Sequence, residues 1–256
     1  LNNLGVKPGM LLLVHSSLSA LGWVCGRTQA VILALENAVG PGGTIVMPTF
    51  STDWSDPSGW RHPPVPPEWV QYIRDNMPGY SSDITPTRHM GKIAENFRSC
   101  HGVLRSSHPL TSFAAHGPLA KEITTEHPLD FSLGDKSPLG KIYELNGWVL
   151  FLGTTWSTNT CMHLAEFRAD YPGRYIRENG ASIMVDGKRK WVVYRDIDFN
   201  GDLFAEIGPD FERETDRVQI GKIGEGEGRL FPVKACVDYT VDWLMNRMPQ
   251  RVKAYE

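Results

Sequence analysis

"GMLLLVHSSL", residues 9–18, sets an unbroken apolar run, Met10 to Val14, directly before a histidine and two serines. A run this short and without alternation reads as a strand covered on both faces, which places it inside a sheet that carries helices above and below. The segments that follow keep to that pattern. "TQAVILALENAV", residues 28–39, repeats its apolar side chains with a helical period, and "GPGGTIVMPTF", residues 40–50, supplies a turn and a second strand.

Further on, Ser51 to Pro67 is rich in Trp, Pro and Asp, too proline-rich for a strand or a helix interior and long enough to be a functional surface. A helix near Glu68 to Asn76 closes it. "MGKIAENFRS" (90–99) reads as a short amphipathic helix, "GWVLFLGT" (147–154) as a buried strand and "HLAEFRADY" (163–171) as another helix. In "SIMVDGKRKWVVYRDIDF" (182–199), Asp186-Gly187 separates two alternating runs, a hairpin signal. "LFPVKACVDYTVDWLMNRM" (230–248) turns from a strand into an amphipathic helix. Strands and helices alternate early and antiparallel strands enter late, so the expected fold is an α/β class, three-layer α/β/α sandwich with a mixed central sheet, spanning residues 1–256 as one domain.

With 256 residues, of which 41% are hydrophobic, the chain can bury a sizeable core. It contains no apolar run near the roughly 20 residues needed to cross a bilayer, which leads to an expectation of a cytoplasmic protein. Cys25, Cys100, Cys161 and Cys236 are scattered with no paired spacing, so reduced thiols are expected rather than a disulfide framework or a zinc knuckle. A net charge of −3 argues against a nucleic-acid partner, since a duplex binder carries a basic stripe.

Three stretches carry candidate chemistry. "HSSLSALGWVCGR" (15–27) is a strand end followed by hydroxyls, glycines and a helix start; its free backbone N–H groups, with the Ser16 and Ser17 hydroxyls, suit a phosphate or pyrophosphate. A capping turn with satisfied serines explains it equally well. "VLRSSHPLTSFAAHG" (103–117) offers Arg105, two serines and His108, although an isolated arginine is more often an ion-pair or surface residue. "NTCMHLAEFRAD" (159–170) puts His163 and Glu166 three positions apart, neighbours on one helix face. A zinc motif would need a second imidazole one turn away, so no metal is assigned. An imidazole oriented by a carboxylate is an acid–base pair, Asn159 and Thr160 precede it as helix caps, and the Thr160 hydroxyl can equally hold a developing oxyanion. Cys161 lies two residues from His163, on another face, and is a poor nucleophile for that base.

The order of the segments "HSSLSALGWVCG", "VGPGGTIVMPTF", "TPTRHMGKIAENFR", "LRSSHPLTSFAAHGP", "GDKSPLGKIYELNGWVLFLG", "NTCMHLAEFRAD" and "RLFPVKACVDYTVDWL" resembles the aminoglycoside 3-N-acetyltransferases, over nearly the whole chain. The resemblance implies acetyl transfer from acetyl-CoA to the 3-amino group of the 2-deoxystreptamine ring of an aminoglycoside antibiotic, on a fold unrelated to GNAT enzymes. It implies His163 as the catalytic histidine and Glu166 as its partner. Acetyl-CoA is then received by residues 15–27, through Ser16, Ser17, Leu18, Gly22, Val24 and Gly26, and by residues 105–113, through Arg105, Ser106, Ser112 and Phe113. Asp56 is the best match to the substrate-side segment, with Asp53 a competitor; Asp196, Asp198 and Glu225 are further carboxylates for a polycationic acceptor. Arg27 departs from the family pattern, standing where many relatives continue a glycine pair. Two other classes stay open: an acyl hydrolase using the histidine and a serine of "HSSL", although the G-x-S-x-G elbow is missing, and a non-catalytic binder of the same ligands.

Overall fold

A computed structural model describes residues 1–255, with side chains through Met248; residue 256, the end of the expected domain, lies outside the described residues. β1 (Leu11–Ser16) is followed by α1 (Arg27–Val39) and β2 (Thr44–Pro48), the three segments whose patterns open the chain. α2 (Pro67–Asn76) and α3 (Gly91–Phe97) precede a short antiparallel pair, β3 (Leu104–Arg105) and β4 (Phe113–His116). α4 (Ala120–Thr124) and α5 (Pro138–Glu144) lead into β5 (Trp148–Leu152) and α6 (Cys161–Arg168). The chain then forms β6 (Ile176–Val185), β7 (Lys188–Ile197), α7 (Phe204–Glu214), β8 (Gln219–Ile223), β9 (Gly226–Pro232) and α8 (Val233–Tyr255).

Seven strands make one sheet in the order β3-β4-β2-β1-β5-β9-β8. β1 pairs in parallel with both β2 and β5, while β4, β9, β3 and β8 join antiparallel, so the sheet is mixed as expected. Alternation along β1 sends side chains to both layers. Leu12 and Val14 pack with Val31, Ile32 and Leu35 of α1 and Ile93 and Phe97 of α3, whereas Leu11 and Leu13 join Ile142, Leu164, Phe211 and Val237 of α5 to α8. Each layer supplies its own apolar core, which is why β1 has to be apolar at every position. Among the described residues no helix is long and apolar enough to cross a membrane.

β6 and β7 form the separate hairpin that Asp186-Gly187 predicts. Both turn residues have positive φ, 49° and 72°, and Val185 pairs with Lys188 across a two-residue turn. The segment 103–117 is more ordered than its polar loop reading: it contains β3 and β4, and the "FAAH" of β4 is a strand buried through Phe113, Ala114 and Ala115. α7 has no counterpart in the sequence reading, because Gly208 and Pro209 in its middle both argue against a helix. Tertiary packing requires that glycine, since a Cβ at position 208 would stand 2.1 Å from Cγ of buried Trp156.

Candidate active site

The parallel strands β1, β2 and β5 all end at one edge of the sheet, and the loops leaving them wall a cleft of about 1360 Å³. Open α/β sheets bind their ligands outside the carboxyl ends of such strands, where successive connections diverge to either side. Ser16, Ser17, Leu18 and Gly22 line it from the β1 turn, Arg27 and Thr28 from the start of α1, and Pro48 and Phe50 from the end of β2. The opposite parts come from Thr87 to Lys92, which lead into α3, and from Thr154 and residues 157–160, which lead into α6.

His163 and Thr160 face this space together. His163 Nδ1 lies 2.5 Å from Glu166 Oε2, and the second carboxylate oxygen accepts the Asn200 backbone N–H at 2.9 Å. Glu166 is 3% exposed, so its carboxylate is met by donors of the protein, His163, the Asn200 N–H and the Tyr171 hydroxyl among them. The imidazole is clamped between Phe199 and Phe204, ring centroids 4.9 and 4.8 Å away. With Nδ1–H donated to the carboxylate, the lone pair of Nε2 is left for a proton in the cleft. Nothing in the spacing of "HLAEF" announces Asn200, Phe199 or Phe204, which arrive from a loop over thirty residues away.

Thr160 occupies the N-cap of α6 but its side chain makes no cap hydrogen bond. Asn159 does not cap either; its amide donates to Cys236 Sγ at 3.4 Å. Both departures from the expected capping leave polar atoms beside the cleft, and two buried ones, Asn159 Oδ1 and His15 Nε2, find no partner among the described residues. Cys161 is fully buried and stands outside the lining. Burial first, and then the hydrogen bond and charge of Cys236, push its thiol well above the usual range. Cys161→Ala is expected to leave acetyl transfer within about twofold of wild type; an acetyl group trapped on Cys161 by mass spectrometry would contradict this.

Several other residues of the sequence reading are placed elsewhere. Val24 packs on the α1 layer and Gly26, with φ of 79°, makes the left-handed entry to α1; neither lines the cleft. Arg105, Ser106, Ser112 and Phe113 turn inward because their segment is a β hairpin at the sheet edge. Arg105 donates to the carbonyls of Thr49, Ser82 and Thr85 and to the hydroxyls of Ser51 and Ser112. Ser106 bonds His127 and the Phe113 N–H, Ser112 donates to the Thr49 carbonyl, and Phe113 is core. These polar groups have no capacity left for a ligand.

The carboxylates divide in a similar way. Asp56 accepts two hydrogen bonds from Arg74 Nη2 and caps the turn at Ser58 N–H, which is the turn role that Asp before Pro often has. Asp196 is 1% exposed and bonded to Ser132 Oγ at 2.6 Å; burial raises its pKa to about 6 despite those bonds. Glu225 lies against Gly22, on the β1-turn side of the cleft. Asp198 pairs with Arg177 and Tyr175 two residues before Asn200, so it stands on the His163 side. Asp53, the competitor of Asp56, pairs with Arg88 at 3.5 Å beside the Phe50 wall. Arg27 and Lys92 are cations of the lining, and its one carboxylate, Glu95, is already paired with Arg98. The sequence reading takes "TPTRHMGKIAENFR" as a segment of the family resemblance and assigns Lys92 no role in it.

The sequence profile of the family described as aminoglycoside 3-N-acetyltransferase matches residues 13–245. The chain is 47% identical, over 99% of its length and 92% of the relative's, to the SPbeta prophage-derived aminoglycoside N(3')-acetyltransferase-like protein YokD of Bacillus subtilis. It superposes on the crystal structure of that YokD protein with a TM-score of 0.93, covering 96% of this chain and 90% of the other. Aminoglycoside N(3)-acetyltransferase VII of Streptomyces paromomycinus is 32% identical over 97% of this chain and 90% of its own. A structure described as AAC-IIIb binary with CoASH matches at a TM-score of 0.86 and 31% identity, over 96% of this chain and 94% of that one. Sequence and superposition agree, and the chain belongs to the aminoglycoside 3-N-acetyltransferase family.

Proposed function

We propose that this chain transfers the acetyl group of acetyl-CoA to the 3-amino group of the 2-deoxystreptamine ring of an aminoglycoside, with His163 as general base. The observation that carries the reading is the 2.5 Å contact of His163 Nδ1 with a Glu166 carboxylate anchored on the Asn200 N–H, at the wall of an open cleft. An amine near neutral pH is mainly ammonium and cannot attack a thioester until it loses a proton. His163 Nε2 accepts that proton, and Glu166 fixes the tautomer and stabilises the imidazolium that forms. The Thr160 hydroxyl, free of any capping bond, lines the same cleft as His163 and can donate to the developing oxyanion. Transfer is direct, within a complex of both substrates, because the buried Cys161 offers no acetyl-carrying thiol.

Ser16, Ser17, Leu18 and Gly22 receive the CoA arm along the β1 turn, and Arg27 and Lys92 meet its phosphates. A relative of the same fold solved with CoASH supports CoA as the donor's carrier. Arg27 has φ of 49°, a left-handed conformation that costs a non-glycine residue about 1–2 kcal/mol and that glycine would adopt without strain. Arg27→Gly should therefore keep or raise thermal stability while raising the KM for acetyl-CoA by roughly 3- to 10-fold and weakening its salt dependence. An unchanged KM would remove Arg27 from the phosphate site.

The deciding experiment is release of free thiol from acetyl-CoA with and without aminoglycoside. Amine-dependent release supports transfer, amine-independent release a hydrolase, and no release a binder. A second reading, in which the acceptor is an amine other than an antibiotic, is favoured by the engagement of Asp56 with Arg74 and of Asp196 with Ser132, which leaves fewer free carboxylates for a polycation. A panel of aminoglycosides and simpler amines separates the two. We further read residues 1–256 as one catalytic unit, and dependence on acetyl-CoA together with the free cysteines supports a cytoplasmic location.

A further inference from the structure

The last but one residue of β1 is a histidine whose Nε2 has no hydrogen-bond partner among the described residues. Leu11 and Leu13, the odd positions of the strand, pack toward α5 to α8, so His15 faces the same layer as His163 and stands edge-on to Phe151, ring centroids 5.6 Å apart at 87°. The residue is 7% exposed and its Nε2 has no hydrogen-bond partner among the described residues, yet it lines the cleft with Asn159, Thr160 and His163. Folded proteins leave few buried polar atoms unpaired, and each costs on the order of 1–3 kcal/mol. An orphaned buried nitrogen on a residue of the cleft wall calls for a functional explanation.

We infer that His15 is a catalytic residue, whose Nε2–H hydrogen-bonds the acetyl carbonyl oxygen as negative charge develops on it. This rests on the reading of His163 as the base. The two imidazoles are set up for different work. His163 is tied to a carboxylate through Nδ1, which makes Nε2 a proton acceptor; His15 has no carboxylate partner. Burial first, and then the nearby His163, lower the His15 pKa to about 3, so its ring stays neutral and keeps its donor through the reaction. As the amine nitrogen bonds to the thioester carbon, the π pair of the carbonyl moves to oxygen and is met by His15. When that pair returns, the C–S bond breaks; of the two protons the ammonium gives up on becoming an amide, one passes through His163 to the departing CoA thiolate and the other leaves to solvent. His15 neither gains nor loses a proton.

The test compares His15→Phe with His163→Gln in steady-state thiol release, each with a thermal midpoint. Phenylalanine keeps the packing on Phe151 and removes the orphaned nitrogen, so a purely structural His15 predicts unchanged turnover in a protein at least as stable. The inference predicts instead a kcat lower by about 10²- to 10³-fold, the usual loss of one oxyanion donor, with the KM for acetyl-CoA within about twofold. His15→Gln, which retains an N–H, should recover at least about tenfold over His15→Met, which has none and similar bulk; that pair keeps the test intact should the Phe variant not fold. Turnover of His15→Phe near wild type, a loss confined to KM, or equal turnover of the Gln and Met variants overturns the role of His15. Full activity of His163→Gln would overturn the base assignment separately.

Discussion

Replacing His163 with alanine should lower kcat by about 10²- to 10⁴-fold, the usual reach of a positioned general base, with little change in either KM. The expectation follows from geometry: the ring is clamped by Phe199 and Phe204, its Nδ1 is committed to Glu166, and one nitrogen is left toward the cleft. Alanine also takes a donor from a buried carboxylate, so some lost stability would confuse the result. His163→Gln avoids this. Its amide can still donate toward Glu166 but cannot take up a proton from an ammonium, and it should be about as inactive as alanine in a well-folded protein. Measuring kcat and both KM values by thiol release, beside a melting curve, decides the matter. Wild-type turnover in the folded Gln variant would place the base elsewhere and leave His163 as an aromatic-cage packing residue.

Arg105→Ala should cost stability rather than acetyl-CoA affinity. The guanidinium ties three stretches of chain: Thr49 and Ser51 beyond β2, Ser82 and Thr85 in the loop before α3, and Ser112 at the start of β4. It also stacks over Tyr80 at 5.3 Å. Truncation leaves several enclosed carbonyls and hydroxyls without their donor, for which a loss of roughly 2–4 kcal/mol is expected. For a chain of this size that is a fall of roughly 5–15 °C in Tm. Lysine should not restore it, since a single ammonium cannot span acceptors on three segments as a planar fork does. A thermal melt and an acetyl-CoA KM measured below the transition distinguish the outcomes: an unchanged Tm with a raised KM would return Arg105 to the cofactor site.

The contrast between these two residues shows where reading the chain succeeds. His163 and Glu166 belong to one helix, and their relation depends only on helical period, so it is visible at a spacing of three. Arg105 looked equally promising, lying in a polar loop beside serines and a histidine. Apart from Ser112, its partners come from positions 20 to 56 residues away, and which polar atoms they leave over is decided by how β3 and β4 fold onto the sheet edge. Asp56 and Asp196 follow the same rule: in the sequence each carboxylate looks available, and the fold brings Arg74 against one and Ser132 against the other.

By itself, then, the sequence determined the elements whose signals are local and repetitive. These are the apolar β1 that demands helices on both faces, the period of α1, the Asp186-Gly187 turn with its two left-handed residues, and the His163–Glu166 pair on α6. Only the tertiary structure decided α7, where the indole of Trp156 requires a glycine that propensity counts against a helix, and the short strand β4 between β3 and β2, whose few small residues carry no periodicity. It alone brought Asn200 to Glu166, aligned Arg27 and Lys92 on one cleft, and left His15 unpaired beside His163. The physical reason is range: period and turn chemistry act over a few bonds, whereas burial and the satisfaction of polar atoms depend on every segment that packs against a residue.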